Sequence, residues 1–134
     1  ENYRLLRMVD YSLLLTFVFF FVFIGNVGSL PDVREFLENA VRGREVETGI
    51  LASQVISNVP AALLLSKFAT DGTGLLIGVN LGGLGTLIAS MASLITYRLY
   101  AASSHALKGR YFAEFTLWNL VFLAALYALA RGLA

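Results

Sequence analysis

Long apolar segments alternate with short polar ones along this chain, and four of them organise the sequence. They run from Tyr11 to Val27, from Thr48 to Thr70, from Gly72 to Tyr97 and from Tyr111 to Ala130. Apolar segments of about 20 residues are typical of helices that enter or cross a lipid bilayer. The pattern therefore predicts an all-helical membrane protein.

The third segment has 26 residues without a charge, yet it contains six glycines and a central asparagine, Asn80. Each glycine in a helix interior costs ~1 kcal/mol relative to alanine, so GVNLGGLGT is a poor continuous helix. Residues 71–100 are therefore predicted to form a transmembrane helix that is broken at mid-depth. The polar backbone groups of such a break persist only where they face protein or a polar cavity, which points to transport.

The second segment is interrupted near its centre by SNVP, with about ten residues on each side. At 1.5 Å per residue, each arm is ~15 Å long and reaches only halfway across a membrane. Pro60 lacks a backbone donor and disfavours helical conformation at Val59. Residues 48–70 are therefore predicted to form a re-entrant hairpin with Ser57 and Asn58 at its tip. One kinked transmembrane helix over the same residues is the alternative, because 23 residues suffice for a span.

The remaining segments flank this pair. Residues 1–47 are predicted to hold a first transmembrane helix and then a short amphipathic helix, for which Ser29 and Asp32 form an S-x-x-D start. Residues 101–134 are predicted to hold a loop and a last transmembrane helix. The expected fold has about three transmembrane helices, one re-entrant helical hairpin and one broken transmembrane helix.

Composition agrees with a membrane location, since 57% of the 134 residues are apolar and the mean hydropathy is +0.72. The net charge is +1 and no cluster of Lys and Arg follows a phosphate-binding pattern, so nucleic acid is not an expected partner. The absence of cysteine excludes disulfides and thiolate metal sites. Because the first residue is Glu rather than Met, we expect the chain to be a piece of a longer protein.

The motifs of soluble enzymes are missing. GVNLGGLGT has no Lys after its last glycine and does not have the G-x-G-x-x-G spacing of a dinucleotide site. The apolar segments hold no paired carboxylates, no His/Cys/Asp ligand cluster and no Ser/His/Asp set. In the fourth segment, Glu114 lies one turn from Arg110, which predicts an ion pair. We therefore expect neither an enzyme nor an organic cofactor.

Neutral polar residues at mid-depth carry the expected chemistry. They are Ser53, Ser57 and Asn58 on the hairpin, and Asn80, Thr86, Ser90 and Ser93 along the broken helix. Carbonyl and side-chain oxygens at broken helix ends suit a hard cation such as sodium, whereas helix N-termini suit an anion. Two structural alternatives stay open. Gly74, Gly78 and Gly82 form a G-x-x-x-G-x-x-x-G packing face, and the Ser53 hydroxyl can bond to a carbonyl of its own helix.

The hairpin sequence ILASQVISNVPAALLL and the segment GVNLGGLGTLIASMASLI resemble the C-terminal half of the ion transporter superfamily. This group contains arsenite permeases, NhaD-type sodium/proton antiporters, citrate transporters and divalent anion/sodium symporters. The broken helix of the permease and citrate branch is similar to G-x-(D/N)-L-G-x-x-x-T-x-I-(G/A)-S-x-A-(S/T)-L. The matching residues are Gly78, Asn80, Leu81, Gly82, Thr86, Ile88, Ala89, Ser90, Ala92, Ser93 and Leu94.

The resemblance implies half of an inverted-repeat, elevator-type secondary transporter, usually a homodimer, whose N-terminal half completes the site. In the divalent anion symporters, an S-N-T hairpin tip and a hydroxyl residue five positions before its asparagine bind the substrate carboxylate and sodium. Ser57 and Asn58 match the first two positions, and Ser53 matches the earlier hydroxyl. Val59 replaces the threonine, and Asn80 replaces an aspartate frequent in arsenite permeases.

We therefore expect a secondary active transporter of a small anion, such as a di- or tricarboxylate or an oxyanion, in a bacterial or archaeal inner membrane. Sodium is the candidate coupling ion, with Ser53, Asn58, Gly83 and Thr86 as its candidate ligands. The alternatives are a sodium/proton antiporter, an arsenite-type permease and, in another class, a non-transporting membrane scaffold. The expected site residues are Ser53, Ser57, Asn58, Val59, Pro60, Asn80, Gly82, Gly83, Gly85 and Thr86.

Overall fold

A computed structural model describes residues 11–103 and 106–133, which form seven helices and no strand. The helices are α1 (Tyr11–Val27), α2 (Pro31–Val41), α3 (Glu45–Ile56), α4 (Asn58–Leu65), α5 (Gly72–Gly82), α6 (Met91–Ala101) and α7 (Lys108–Leu133). The predicted all-helical class is confirmed for this part of the chain. The start of the first predicted unit (1–10) and residues 104–105 and 134 of the last unit lie outside the described residues.

Among the described helices, α7 alone is long and apolar enough to cross a bilayer unaided, over Lys108–Gly132. Helix α1 has 17 residues and is therefore about 25 Å long. A bend of 92° separates Leu14–Val27 from α2, and this pair would count as a second span if it crossed the membrane as one broken unit. The three transmembrane helices expected from the sequence stay a prediction.

Helix α2 begins at Pro31, but the predicted S-x-x-D cap is wrong. Leu30 occupies the N-cap position and makes no side-chain hydrogen bond. The Ser29 hydroxyl instead donates to the Gly25 carbonyl, 2.9 Å away, because this oxygen lies one turn back at the end of α1.

A line of small residues joins α3 to α5 with their backbones in close approach. A Cβ atom added to Gly78 would lie 2.5 Å from the Val46 carbonyl oxygen, and one added to Gly49 would lie 3.0 Å from the Val79 nitrogen. The Gly82 position is equally tight, 2.6 Å from the Ser53 hydroxyl oxygen. We call this contact the glycine seam; it consists of Gly49 and Ser53 on α3 and Gly74, Gly78 and Gly82 on α5. The predicted packing face is thus confirmed.

An apolar core beside the glycine seam holds α2 and α4 against α5. Its buried members are Val41 of α2, Ala61 and Leu65 of α4, and Leu75 and Val79 of α5. Helix α1 is also in contact with α4. Helices α2 to α5 therefore form one packed unit around the second and third apolar segments.

Helix α7 is in contact with α5 of this unit, but no part of its apolar stretch is buried inside the described structure. Its best polar link is the Tyr127 hydroxyl, which donates to the Glu47 carboxylate at 2.7 Å, with Arg131 at 3.6 Å from the same oxygen. Arg110 and Glu114 form the predicted ion pair at 2.7 Å, which is confirmed.

The Glu45 carboxylate connects the start of α3 to the residues that follow α4. One of its oxygens accepts hydrogen bonds from the Thr70 hydroxyl (2.8 Å), the Thr70 N–H (3.3 Å) and the Asp71 N–H (3.4 Å). Burial raises the pKa of the Glu45 carboxyl, but these hydrogen bonds outweigh it and leave the pKa below the ordinary value of 4.5. Glu45 lies before residues 48–70 and therefore outside the predicted re-entrant hairpin.

The lowered pKa of Glu45 predicts that the stability of the fold is sensitive to acid. Since the folded pKa lies below the unfolded one, the ionised carboxylate stabilises the fold above about pH 4.5, and this stabilisation is lost as the pH falls through the folded pKa. We expect the melting temperature of the complete protein in detergent to fall below about pH 4.5. The Glu45→Gln variant should melt lower than wild type near neutral pH, and the difference should shrink in acid. An equal difference at both pH values would contradict this role.

Candidate substrate and ion site

The second apolar segment reverses direction at Ser57. This residue has a positive φ of 71° and separates α3 from α4. Glu45 at the start of α3 lies 2.8 Å from the Thr70 hydroxyl beyond α4. A single helix over the same residues would place these ends more than about 30 Å apart. The segment therefore folds as a helical hairpin and not as one kinked helix.

The third apolar segment is interrupted over residues 83–90, between α5 and α6. This break meets the hairpin tip. The Asn58 N–H donates to the Ala89 carbonyl at 2.9 Å, and the Ser57 hydroxyl lies 3.5 Å from the same oxygen. Two non-helical turns, each from the middle of an apolar segment, thus lie against each other.

The Asn58 side chain lies beside the break. Its Oδ1 atom accepts the Val59 N–H at 3.0 Å. Its Nδ2 atom is 3.2 Å from the position that a Gly83 Cβ would occupy, so a side chain there would crowd the amide. Nδ2 has no hydrogen-bond acceptor among the described residues. An amide donor is therefore available at the tip.

Four of the expected residues, Ser57, Asn58, Gly83 and Thr86, come together around the tip and the break. Gly85 also lies in the break, where it faces the side-chain amide of Gln54. Its backbone φ is 113°, a conformation that favours glycine. Val59 and Pro60 follow Asn58 in the first turn of α4, where the Val59 side chain is exposed and Pro60 is buried. Val59 is helical, so the expectation that Pro60 disfavours this conformation is wrong here; the chain turns one residue before α4, at Ser57. These residues form the candidate site.

Three expected residues do not line this site. The Ser53 side chain is fully buried in the glycine seam, and its hydroxyl donates to the Gly49 carbonyl at 2.7 Å, which is the structural alternative raised above. Gly82 packs against it. Asn80 lies on the exposed side of α5, where its amide donates to the Leu76 carbonyl at 2.8 Å. The Ser53 hydroxyl and the Asn80 amide are thus satisfied within their own helices.

The site has no formal charge. Residues 48–66 and 72–97 contain no Asp, Glu, Lys, Arg or His. The described residues hold no group of three or more His, Cys, Asp or Glu side chains that could bind a metal ion. An apolar cavity of about 220 Å³ adjoins the tip, between Phe17 and Phe20 of α1, Ser57, and Met91 of α6. The arrangement can offer neutral oxygens to a hard cation, or N–H groups to an anion.

Two curated proteins are similar to this chain. An uncharacterized transporter of Methanocaldococcus jannaschii is 45% identical over 91 residues, and the inner membrane protein YbiR of Escherichia coli is 37% identical over 99 residues. The alignments cover 68% and 72% of this chain. Its relatives point to a family of membrane transporters.

These names support a membrane location for the chain. They give no substrate. The alignments cover only 26% and 27% of the two relatives, so the chain spans about a quarter of the length of the curated relatives it matches. No family model and no solved structure matches the chain.

Gln54, the side chain with the most hydrogen bonds to the break, was not among the expected site residues. Its Nε2 atom donates to the Gly82 and Leu84 carbonyls at 2.9 Å each, and its Oε1 atom accepts the Thr86 N–H at 2.9 Å. A signal was available, because a primary amide in the apolar arm ILASQVI must find polar partners. The Ala89 carbonyl was also missed, since a backbone acceptor leaves no mark in the sequence.

Proposed function

We propose that this chain is one repeat of a secondary active transporter that carries a small anion, with sodium as the coupling ion. The observation that carries the proposal is the contact between two helix interruptions, in which the Asn58 N–H binds the Ala89 carbonyl at 2.9 Å. Broken backbone in the middle of apolar segments is costly in a membrane unless it faces protein or a polar, water-accessible cavity. A ligand site at this point would explain why two helix interruptions lie against each other here.

The packing of the helices does not require the break. The glycine seam ends at Gly82, before the break begins. If the third apolar segment formed one continuous helix, it could therefore make the same contact with α3. A membrane scaffold would need the seam alone. The additional polar groups, Ser57, Asn58 and Thr86, therefore support ligand binding over a purely structural role.

Several parts of the proposal rest on the resemblance to the ion transporter superfamily. They are the inverted repeat, the elevator-type movement, the homodimer and completion of the site by the N-terminal half. Sodium/proton antiport receives less support, since the carboxylate within α7, Glu114, is paired with Arg110 at 2.7 Å. We also propose that the protein performs no chemical conversion of its substrate.

The first test is ligand-dependent thermal stability of the complete protein in detergent. Sodium, lithium, citrate, succinate, arsenite, phosphate and sulfate are each titrated as probes. A specific ligand stabilises the folded state by RT ln(1 + [L]/Kd), which is ~2.7 kcal/mol at a concentration of one hundred Kd. A response to at least one ion supports the proposal, and no response to any of them favours the scaffold.

Asn58→Ala should abolish this response and uptake into proteoliposomes. The substitution removes the amide donor at the tip but keeps the backbone N–H that binds Ala89. Loss of the bond to the Val59 N–H should cost only about 1 kcal/mol, the usual net contribution of one hydrogen bond, so the protein should still fold. The matched control is Asn39→Ala, an exposed asparagine on α2. If the Asn58→Ala variant is still stabilised by the ion, the assignment of this site is wrong.

A further inference from the structure

The Gln54 side chain replaces a helical hydrogen bond at the break. In a continuous helix the Thr86 N–H would donate to the carbonyl four residues earlier, which belongs to Gly82. Here both groups bind Gln54 instead: the Gly82 carbonyl accepts from Nε2 and the Thr86 N–H donates to Oε1, each at 2.9 Å. The Gln54 amide therefore bridges the acceptor and the donor of one helical hydrogen bond that is not formed.

Apart from a long contact of Nε2 with the Ile50 carbonyl at 3.4 Å, the remaining contacts of Gln54 are made to the same turn. Nε2 also donates to the Leu84 carbonyl at 2.9 Å, and the Thr86 hydroxyl lies 3.4 Å from the Gln54 carbonyl oxygen. An amide nitrogen has two hydrogens, and the short bonds to Gly82 and Leu84 use both. The Gln54 amide is thereby committed to the break and is not available to a ligand.

The backbone of the break is shaped to admit this amide. A Cβ atom at Gly85 would collide with the side chain of Gln54, and the φ of 113° at Gly85 is one that other residues rarely adopt. A side chain that inserts into the helical hydrogen-bond ladder is a recognised cause of helix interruption. The glycines alone permit the break, whereas Gln54 holds it in one conformation.

We infer that Gln54 is the positioning residue of the candidate site. Its side chain holds the break open so that the Gly83 and Gly85 carbonyls can bind a sodium ion. Within the described part of the chain, these two carbonyls accept no hydrogen bond. Carbonyl oxygens are ligands that hard cations prefer. The inference rests on the proposed function, because it assigns the residue that shapes the site for its coupling ion.

Gln54→Leu tests the inference. Leucine is of similar size and cannot bridge the break, so the Gly82 carbonyl and the Thr86 N–H should bond directly and close it. We expect the melting temperature without sodium to stay close to that of wild type, while the sodium affinity falls by about tenfold to a hundredfold, as for lost supporting contacts at metal sites. The measurement is a thermal-stability titration with sodium chloride, with potassium chloride at equal ionic strength as the reference. A residue with a merely structural role would lower the sodium-free melting temperature and leave the affinity unchanged.

Gln54→Glu provides the second variant, and it keeps the test decisive if Gln54→Leu fails to fold. An ionised glutamate can accept the Thr86 N–H but cannot donate to the Gly82 and Leu84 carbonyls. Protonation restores one donor, so the sodium response of this variant should recover as the pH is lowered, whereas that of Gln54→Leu should not. A sodium response of Gln54→Glu that does not depend on pH would overturn the inference.

The possible outcomes separate the two proposals. If wild type responds to sodium and the Gln54 variants respond equally, only the role of Gln54 is wrong. If wild type responds to an anion but not to sodium, the proposed anion site stands, whereas sodium coupling and the cation inference are both overturned. If wild type responds to no ion of the panel, the proposed function fails and this inference fails with it.

Discussion

Gly78→Ala is expected to cost about 3 kcal/mol of folding stability, the upper part of the usual range for overpacking. The new Cβ atom would lie 2.5 Å from the Val46 carbonyl oxygen and 2.8 Å from the Val46 Cα atom. Both are backbone atoms, so no side chain can rotate away and α3 must separate from α5. The measurement is the melting temperature and the monodisperse fraction of the complete protein in detergent.

The matched control for this variant is Gly25→Ala. Gly25 is also helical, but an added Cβ atom there has no neighbour within 4 Å. Both substitutions gain the better helix propensity of alanine, so their difference isolates the steric contact at the seam. Equal melting temperatures for the two variants would mean that α3 and α5 are not in close contact at Gly78.

Gly85→Ala is expected to destabilise the break by about 3 kcal/mol and to abolish the ion response, because it combines backbone strain with a collision. Alanine rarely adopts a φ of 113°, and its Cβ atom would displace the Gln54 amide from Thr86. Thermal stability with and without sodium measures both effects in the same sample.

Gly43→Ala separates the two causes. Gly43 has a φ of 72°, but an added Cβ atom has no neighbour within 4 Å. This control should show backbone strain of about 1 kcal/mol and keep the ion response. If Gly85→Ala behaves like Gly43→Ala, the contact between Gly85 and Gln54 does not shape the site.

Much of the fold could be predicted because composition and spacing determine it locally. The SNVP interruption and the cluster of glycines from Gly82 to Gly85 indicated the two places where helices end, although the turn lies at Ser57 and Pro60 is inside α4. Glycines spaced four residues apart indicated the face of α5 that meets α3. The cap of α2 was predicted wrongly, since the sequence does not record that Ser29 lies within reach of a carbonyl at the end of α1.

The candidate site was less predictable because its contacts join residues about 30 positions apart. Ser57, Asn58 and Thr86 were expected to lie together, and they do lie where the tip meets the break. The direction of each polar side chain depends on the rotation of its helix, which the sequence does not record. Asn80 was expected among the ligands, yet its amide bonds back to Leu76 on the exposed side of α5. Gln54 was passed over because its partners are backbone atoms of another helix.

The glycine seam also bears on the kinetics of recognition. Glycine has no rotamers to lose on packing, so the seam orders α3 against α5 at little cost in side-chain entropy. The tip and the break are therefore held in place before any ligand arrives. For the ion site proposed above, we therefore expect the association rate to be limited by access to the site rather than by rearrangement within it.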